Sequence, residues 1–259
     1  MAAMMQIEKM QIQIYDSNQA VGQAAADDLK DILASTIIRR GEAAIILATG
    51  NSQLSFLNAL RAESGIQWDK ITVFQMDEYL GISDQHVASF RRYHHVHLVD
   101  VVHPRIFYGI DADRIDIKAE IARYTALLEH HEPVACVMGI GENGHLAFND
   151  PPADFATDKL IHVVTLVEAA RRQQVGEGHF ASLDQVPHQA LTLTVPALLK
   201  PPHLLVVVPE LRKALAVQAA LEGPVTVDCP ASILRRLPSV KLYLDQDSAS
   251  LLTTGHLHE

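Results

Sequence analysis

Three largely apolar runs constrain the fold of this 259-residue chain more than any other feature of its sequence. They are AAIILAT (43–49), VACVMGI (134–140) and HLLVVVPE (203–210). A strand that is apolar on both faces is typical of a parallel sheet covered by helices on both sides, because neither face of that strand meets water. The runs therefore predict an α/β fold.

Segments with helical spacing of apolar residues lie between the strands, and Gly41 ends the first of these helices. The other predicted strands are 11–17, 70–76 and 240–245, and the predicted helices are 18–40, 52–62, 88–99, 115–131 and 211–221. Such alternation indicates a mostly parallel sheet. We expect a single domain over residues 1–259, with frayed termini at about 1–8 and 250–259.

Charge and composition argue against several classes of partner. The formal net charge is −10 and no basic block occurs, so binding to a nucleic-acid backbone is not expected. No apolar run approaches the length of a membrane span, and the N-terminal segment lacks the apolar core of a signal peptide. Two cysteines, Cys136 and Cys229, make neither a disulfide framework nor a four-ligand zinc site. These features predict a cytoplasmic protein without nucleic-acid or membrane partners.

Polar segments follow three of the predicted strands. They are LATGNSQ (47–53), FQMDEYLG (74–81) and GIGENGHLAFNDPP (139–152). Ligands of open α/β sheets bind in the crevice outside the carboxyl ends of the strands. We therefore expect the three segments to converge on one site.

The first segment has the pattern of a strand, a Thr-Gly turn and the start of a helix. Backbone N–H groups of Gly50, Asn51 and Ser52 would point at an anion, and the hydroxyls of Thr49 and Ser52 would add donors. The alternative is an ordinary turn in which Ser52 caps the following helix. The pattern is neither a Walker A loop nor a dinucleotide fingerprint, so nucleotide binding is not indicated.

The second segment places two carboxylates side by side at a strand end. Neighbouring side chains of a strand face opposite ways, so Asp77 and Glu78 cannot both enter one pocket. One of them could act as a base while the other forms a structural pair. The alternative is a solvated strand end.

The third segment brackets a histidine with two glycines. Gly141 and Gly144 allow tight turns around His145, and Asp150 follows close behind. A histidine near a carboxylate can exchange protons near neutral pH. The glycines and the strand end therefore favour a chemical role for His145 over a structural one.

Several basic residues could be either solvated surface residues or part of a binding site. Lys213 follows a strand end, a position that suits contact with a phosphate, although a lone lysine is usually solvated. Arg171 and Arg172 could lie on an exposed helix face or reach a phosphate. His94 and His97 could share a helix face, and we expect them on a solvated surface rather than in a metal site.

Taken together, ATGNSQ, MDEYLG and GIGENGHLAFNDP resemble the three signature segments of the glucosamine-6-phosphate deaminase (isomerase) family in order and spacing. KALAVQAALEG and CPASILRRLPSV resemble the C-terminal region of that family. The related 6-phosphogluconolactonases typically have DER and GHTAS where this chain has DEY and GHLAF, which favours the deaminase branch. The resemblance implies a doubly wound, Rossmann-like parallel sheet flanked by helices.

The resemblance implies conversion of glucosamine 6-phosphate and water to fructose 6-phosphate and ammonia, without a redox cofactor or a catalytic metal. By motif, Asp77 would be the base that moves a proton between C2 and C1, and His145 would assist opening of the pyranose ring. Asp150 matches a family glutamate that supports this histidine. Asn143 stands where many members have an aspartate of the ring-opening group.

The implied substrate and phosphate contacts are Thr49, Gly50, Asn51, Ser52, Gly144 and Lys213, with Arg172 as a further candidate. Two other functions fit parts of the pattern. Lactone hydrolysis would use His145 to activate water, and a sugar-phosphate sensor would bind the ligand without chemistry. The motifs do not select among hexosamine phosphates, and they are compatible with a homo-oligomer.

Overall fold

A mostly parallel sheet of eight strands forms the centre of the computed structural model, which describes residues 3–176 and 178–253. The strands of the chain are β1 (Ala3–Ile7), β2 (Met10–Tyr15), β3 (Ala43–Leu47), β4 (Ile71–Gln75), β5 (Asp77–Tyr79), β6 (Ile106–Tyr108), β7 (Ala135–Met138), β8 (Ile161–Thr165), β9 (Gln189–Leu193), β10 (His203–Val208) and β11 (Val240–Asp245). Their order in the main sheet is β1-β2-β11-β10-β7-β3-β4-β6. Only the edge pair β1–β2 is antiparallel among the described strands of this sheet.

Helices cover both faces of this sheet. They are α1 (Asn18–Arg40), α2 (Leu54–Ala62), α3 (Phe90–His94), α4 (Asp100–Val102), α5 (Ile117–His131), α6 (Glu168–Gly176), α7 (Val195–Leu199) and α8 (Ala214–Glu222). Ser17 caps α1 by accepting the N–H of Ala20, and Gly41, with φ of 83°, ends it in the left-handed conformation that glycine adopts at little cost. None of the helices in the described part of the chain combines the length and apolarity that a bilayer crossing requires.

The apolar runs explain the two-sided core. Alternate strand residues point to opposite faces, so Ile45 and Leu47 of β3 pack with α1 and α2, whereas Ala44 and Ile46 pack with the cluster that includes α5, α7 and α8. Burying a side chain such as Leu47 contributes roughly 1.5–3 kcal/mol to folding. The prediction of an α/β fold with a mostly parallel, doubly wound sheet is confirmed.

The chain winds in two directions from the middle of the sheet. From β3 it proceeds outward through β4 to β6, and from β7 it proceeds the other way through β10 to β11. Strands β3 and β7 are neighbours, so the order reverses between them. A crevice opens at such a switch point, outside the carboxyl ends of the strands.

A second, antiparallel sheet of order β5-β9-β8 lies beside the main one. Side chains of this sheet contribute to a small apolar cluster. Its buried members are Tyr79, Ile82, Ala88, Leu166, Phe180, Val186 and Ala190. We call this second sheet and its cluster the cap. The cap follows from pairings between distant segments, and none of its strands was predicted from sequence.

The N-terminus differs from the expectation of a frayed end at residues 1–8. Residues 3–7 form β1, which pairs with β2, and Met5 is buried in the main core. Fraying was also expected at residues 250–259. Leu252 of this segment packs against the same core, and residues 254–259 lie outside the described residues. The short strand β6 was also missed, because three residues carry too little periodic signal.

Candidate active site

A cleft opens at the switch point, where the segments that follow β3, β4, β7 and β10 meet. Its lining includes Thr49, Asp77, Gly141, His145 and Lys213, which come from four separate strand ends. The expected convergence of the three polar segments is therefore confirmed, and the fourth strand end adds the lysine.

The segment after β3 forms a tight turn held from two sides. Gly50 has φ of 103°, a conformation that side-chain-bearing residues rarely adopt, and the hydroxyl of Tyr93 donates to its carbonyl at 2.8 Å. The buried amide of Gln53 donates to the carbonyl of Val207 at 3.1 Å and to Ser52 Oγ at 3.2 Å. The turn thus stays at a fixed place beside the end of β10.

The alternative role of Ser52 as a helix cap is wrong. The residue before the turn Asn51–Gln53 is Gly50, and α2 begins only at Leu54. Ser52 lies inside a single 3₁₀ turn and lines the cleft, as do Thr49 and Gly50. Its hydroxyl is therefore placed where a ligand can reach it.

Asp77 is buried at the floor of the cleft. It is only 6% exposed, and its Oδ1 has no hydrogen-bond partner among the described residues. Burial, followed by the nearby charge of Glu78, raises the pKa of Asp77 to about 8. Once deprotonated, this carboxylate is a much stronger base than a solvated aspartate.

Glu78 has the opposite environment although it is the next residue. It is fully buried and accepts hydrogen bonds from the backbone N–H of Phe90 at 3.1 Å, from that of Arg91 at 2.9 Å and from the hydroxyl of Ser89 at 2.9 Å. It therefore anchors the start of α3, which contributes Ser89 and Phe90 to the cleft wall. As expected from strand geometry, one carboxylate faces the cleft and the other is structural.

The loop after β7 holds His145 over a glycine. A Cβ at Gly141 would come within 2.2 Å of the imidazole ring, so the ring can pack there only because this residue has no side chain. Gly144 has φ of 83°, and a Cβ there would lie 2.9 Å from Cys229 Sγ. Gly144 was predicted to contact substrate, but it does not line the cleft and instead forms the turn.

Asn143 and Asp150 support one side of the imidazole. Nδ1 of His145 lies 2.7 Å from Asn143 Oδ1 and 3.2 Å from Asp150 Oδ1, and Asn143 Nδ2 donates to Asp150 Oδ1 at 2.9 Å. Two acceptors around Nδ1 favour a proton on that nitrogen, which makes Nε2 the acceptor of the neutral ring.

The Asp150 carboxylate is held in its charged form. Burial acts to raise its pKa, but hydrogen bonds from His145 and Asn143 outweigh burial, so the pKa of Asp150 is lowered. A charged Asp150 accepts the Nδ1–H of the imidazole and leaves Nε2 as the acceptor of the neutral ring. His145 can therefore take up a proton at the cleft and return it.

The turn after β10 carries two cationic side chains to the cleft, Arg212 and Lys213. Lys213 is 6% exposed and ends the 3₁₀ turn Leu211–Lys213, directly before α8. The predicted position of Lys213 at a sheet end is confirmed. Arg212 was missed, because a single arginine after a strand gives no signal that separates it from solvated ones.

The arginines of α6 lie elsewhere. Arg172 is exposed and pairs with Glu168, at 2.5 Å from Nη2 to Oε1. Arg171 is buried and donates to the carbonyls of Leu183 and Val186. Neither side chain lines the cleft, so the geometry does not support the prediction that Arg172 contacts phosphate.

The expectation of a solvated histidine face is wrong for His94. This residue is fully buried, and its ring packs against Tyr93 and Phe107. Burial lowers the pKa of His94 to about 3, so the ring is neutral. His97 is partly exposed, as predicted for a surface position.

One wall of the cleft was not predicted at all. It is built by Phe148 and by the cap, with Gln174 and His179 at its edge. Phe148 stacks on Phe90 and also contacts Tyr79. These contacts join segments that lie far apart in the chain, so no local sequence pattern predicts them.

The fold and the cleft together define an α/β protein with acid–base groups and cationic side chains at the switch point of a parallel sheet. A family model described as glucosamine-6-phosphate isomerases/6-phosphogluconolactonase matches residues 16–241. The chain therefore belongs to this family, and the resemblance found in its sequence is confirmed.

Individual relatives agree with this assignment. The chain is 35% identical to the glucosamine-6-phosphate deaminase of Exiguobacterium sibiricum over 223 residues, which cover 86% of each chain. It is 32% identical to the glucosamine-6-phosphate deaminase of Oenococcus oeni over 247 residues, covering 94% of this chain and 99% of the relative.

Solved structures show the same fold. A monomeric glucosamine-6-phosphate deaminase matches with a TM-score of 0.84 and 29% identity, covering 93% of this chain and 99% of that one. A 6-phosphogluconolactonase from Shewanella baltica matches with a TM-score of 0.76 and 18% identity, covering 93% of this chain and 98% of that one. At 18% identity, the second likeness concerns the fold alone.

Proposed function

We propose that this protein converts glucosamine 6-phosphate and water to fructose 6-phosphate and ammonia. The observation that carries the proposal is that one cleft is lined by Asp77, a buried carboxylate with a raised pKa, and by His145, which a charged carboxylate supports. The deaminase branch is favoured over the lactonase branch because the relatives at 32% and 35% identity are deaminases.

The phosphate group would bind at the turn after β3. Thr49 and Ser52 offer hydroxyls, and the backbone of Gly50 and Asn51 offers N–H groups. Lys213 lines the same cleft and would supply positive charge. Binding the phosphate at this end would direct the sugar ring toward Asp77 and His145.

Ring opening would be the first chemical step. The anomeric hydroxyl gives up its proton while the ring oxygen receives one, and the C1–O5 bond breaks to leave an open-chain aldehyde. His145 can move this proton through Nε2, because Asp150 and Asn143 hold Nδ1 on the other side of the ring. Asn143 and Asp150 would act by positioning the histidine.

Proton transfer between carbons would follow. Asp77 takes the proton from C2 while the aldehyde oxygen O1 gains a proton, which gives an enolamine. Asp77 then gives its proton to C1 and the nitrogen loses a proton, which leaves an imine at C2. Water adds to the imine carbon, ammonia leaves, and fructose 6-phosphate remains. A buried carboxylate suits this role because water does not exchange the proton while it is held.

The test is an assay for ammonia and fructose 6-phosphate with glucosamine 6-phosphate, galactosamine 6-phosphate and 6-phosphogluconolactone as substrates. We expect ammonia and ketose phosphate in equal amounts from glucosamine 6-phosphate. Lactone hydrolysis without ammonia would instead assign the protein to the hydrolase branch. Binding of the amino sugars without turnover of any of the three would support a sugar-phosphate sensor.

We further propose that the enzyme is cytoplasmic and that one chain holds a complete site. The proposed groups, from Thr49 to Lys213, all come from the same chain. Light scattering of the purified protein across a dilution series would show whether a homo-oligomer forms. Activity per chain that stays constant through dissociation supports a complete site, and loss on dissociation argues against it.

A further inference from the structure

The turn that presents Lys213 has a costly backbone conformation. Glu210 has φ of 86° and ψ of 139°, a region that residues with side chains rarely occupy. The buried carboxylate of Asp245 holds it there by accepting the N–H of Glu210, at 3.1 Å to Oδ1 and 3.0 Å to Oδ2. The N–H of Ser248 donates to Asp245 Oδ1 at 2.8 Å and fixes this carboxylate in turn. Because a buried carboxylate maintains this strained conformation, we infer that the direction in which the turn points Arg212 and Lys213 is important for the site.

Arg212 is aimed by this turn at the mouth of the cleft. Its Nε donates to Glu210 Oε2 at 2.6 Å, and its Nη1 donates to Glu142 Oε1 at 3.1 Å. The guanidinium side chain is one-third exposed, and it lines the cleft beside Lys213. The cleft therefore has two neighbouring cationic side chains on one turn.

Glu142 connects this turn to a different part of the site. It lies 70 positions away from Arg212 in the chain, in the loop that also carries His145. The pair Arg212–Glu142 therefore links the turn after β10 to the loop after β7. This is an ion pair between the proposed phosphate site and the proposed ring-opening site.

We propose that Arg212 is a second cationic contact for the substrate phosphate and that, through Glu142, it positions the loop carrying His145. The inference rests on the proposed function and deepens it by adding a residue that the family resemblance did not supply. A guanidinium suits this double role because its planar N–H groups bind carboxylate and phosphate oxygens in the same geometry.

A solvated ion pair with no role in binding is the competing explanation. Exposed pairs contribute little to stability, so loss of such a pair would leave both phosphate affinity and turnover unchanged. The two explanations differ in measurable quantities. Arg105, which pairs with Glu42 on an exposed surface before β6 and β3, provides a matched control.

The experiment compares Arg212→Gln, Arg212→Lys, Glu142→Gln and Arg105→Gln with the wild type. Calorimetric titration with inorganic phosphate at constant ionic strength gives Kd, and the coupled assay with glucosamine 6-phosphate gives KM and kcat. Thermal melts confirm that each variant is folded. Inorganic phosphate is the probe because its binding does not depend on turnover.

We expect Arg212→Gln to weaken phosphate binding by about 10-fold or more and to raise KM in parallel, as for loss of a charge-assisted hydrogen bond. Arg212→Lys keeps the charge and should lose less affinity than Arg212→Gln. Glu142→Gln should leave the phosphate Kd within about 2-fold and lower kcat by roughly 3- to 10-fold, because only the loop is affected. The control Arg105→Gln should change none of these values.

Phosphate affinity in Arg212→Gln equal to that of the wild type would overturn the phosphate contact. An unchanged kcat in Glu142→Gln would overturn the positioning role. If the wild type releases no ammonia while Arg212→Gln still loses phosphate affinity, the proposed function fails and the phosphate contact stands.

Discussion

Two aspartates of the candidate site, one in the cleft lining and one behind His145, have opposite acid–base properties. Asp77, the first residue of β5, is buried with Oδ1 unpaired among the described residues, and its pKa is raised to about 8. Asp150, in the loop after β7, accepts hydrogen bonds from His145 and Asn143, and its pKa is lowered although burial acts to raise it.

The difference shows that hydrogen-bond partners, rather than residue type or burial alone, set the role of each carboxylate. A carboxylate without partners holds a proton at neutral pH and becomes a strong base when it loses it. Asp150, with its partners, stays charged and orients and supports its neighbour. The first suits proton transfer at carbon, and the second suits support of a histidine.

The strongest test of this contrast is Asp77→Asn. The substitution keeps the shape of the side chain but removes the proton carrier, so we expect kcat to fall by about 10³-fold or more. The Kd of fructose 6-phosphate, measured by calorimetry, should stay within about 3-fold because the phosphate contacts are elsewhere. A variant with near wild-type kcat would exclude Asp77 as the base.

His145→Gln should lower kcat by roughly 10²-fold, because the proton relay of ring opening is lost while Asp77 is intact. Binding of an open-chain analogue, 2-amino-2-deoxyglucitol 6-phosphate, should be nearly unchanged. Equal losses of turnover and of analogue binding would mean that the histidine acts in general binding and not in ring opening.

Gly141→Ala tests whether the packing of the His145 ring against Gly141 is needed for activity. The new Cβ would lie 2.2 Å from the ring, so His145 must move. We expect kcat to fall by about 10- to 100-fold with little change in KM, because a misplaced acid–base group costs rate. Gly176→Ala is the matched control, since a Cβ there meets nothing within 4 Å. Equal kcat values in the two variants would contradict the packing argument.

Asp150→Asn should lower kcat by about 10-fold, a smaller effect because the carboxylate acts through His145. KM should change little, because Asp150 itself does not line the cleft, and steady-state kinetics with glucosamine 6-phosphate gives both values. A kcat equal to that of the wild type would show that Asp150 does not support the histidine.

The smallest effect concerns stability. The pKa of Asp77 is about 8 when folded against 3.8 in the reference state, so between those values the folded protein holds a proton that the unfolded chain has released. The free energy of unfolding therefore falls as pH rises through this window, and the Asp77→Asn variant lacks this loss. We expect the variant to exceed the wild type in Tm by roughly 2–5 °C at pH 8, and by less at pH 5. A larger gain at pH 5 would reverse the sign of the shift.

The features that the sequence predicted correctly are local ones. The apolar runs of β3, β7 and β10 predicted the parallel sheet because a strand buried on both faces must be apolar throughout. The glycines at 141 and 144 and the residues at 143, 145 and 150 lie within one short loop, so their neighbourhood was readable from their spacing.

Other features depend on tertiary contacts that the spacing of residues in the sequence does not predict. The alternation of side chains along a strand indicated that only one of Asp77 and Glu78 enters the cleft. It did not indicate that three donors at the start of α3 form hydrogen bonds to Glu78. Arg172 was predicted at the phosphate, yet it pairs with Glu168 at the surface. Which cation reaches the cleft depends on how whole elements pack.

The class of fold, the polar strand ends and the family were thus predictable from the order of the amino acids. Only the folded chain shows the antiparallel cap, the opposite environments of Asp77 and Asp150, and the contact between Arg212 and Glu142. The cause is the distance along the chain over which each signal acts. Periodicity and turn residues act over a few positions, whereas burial, charge and hydrogen-bond supply depend on groups that meet only after the chain has folded.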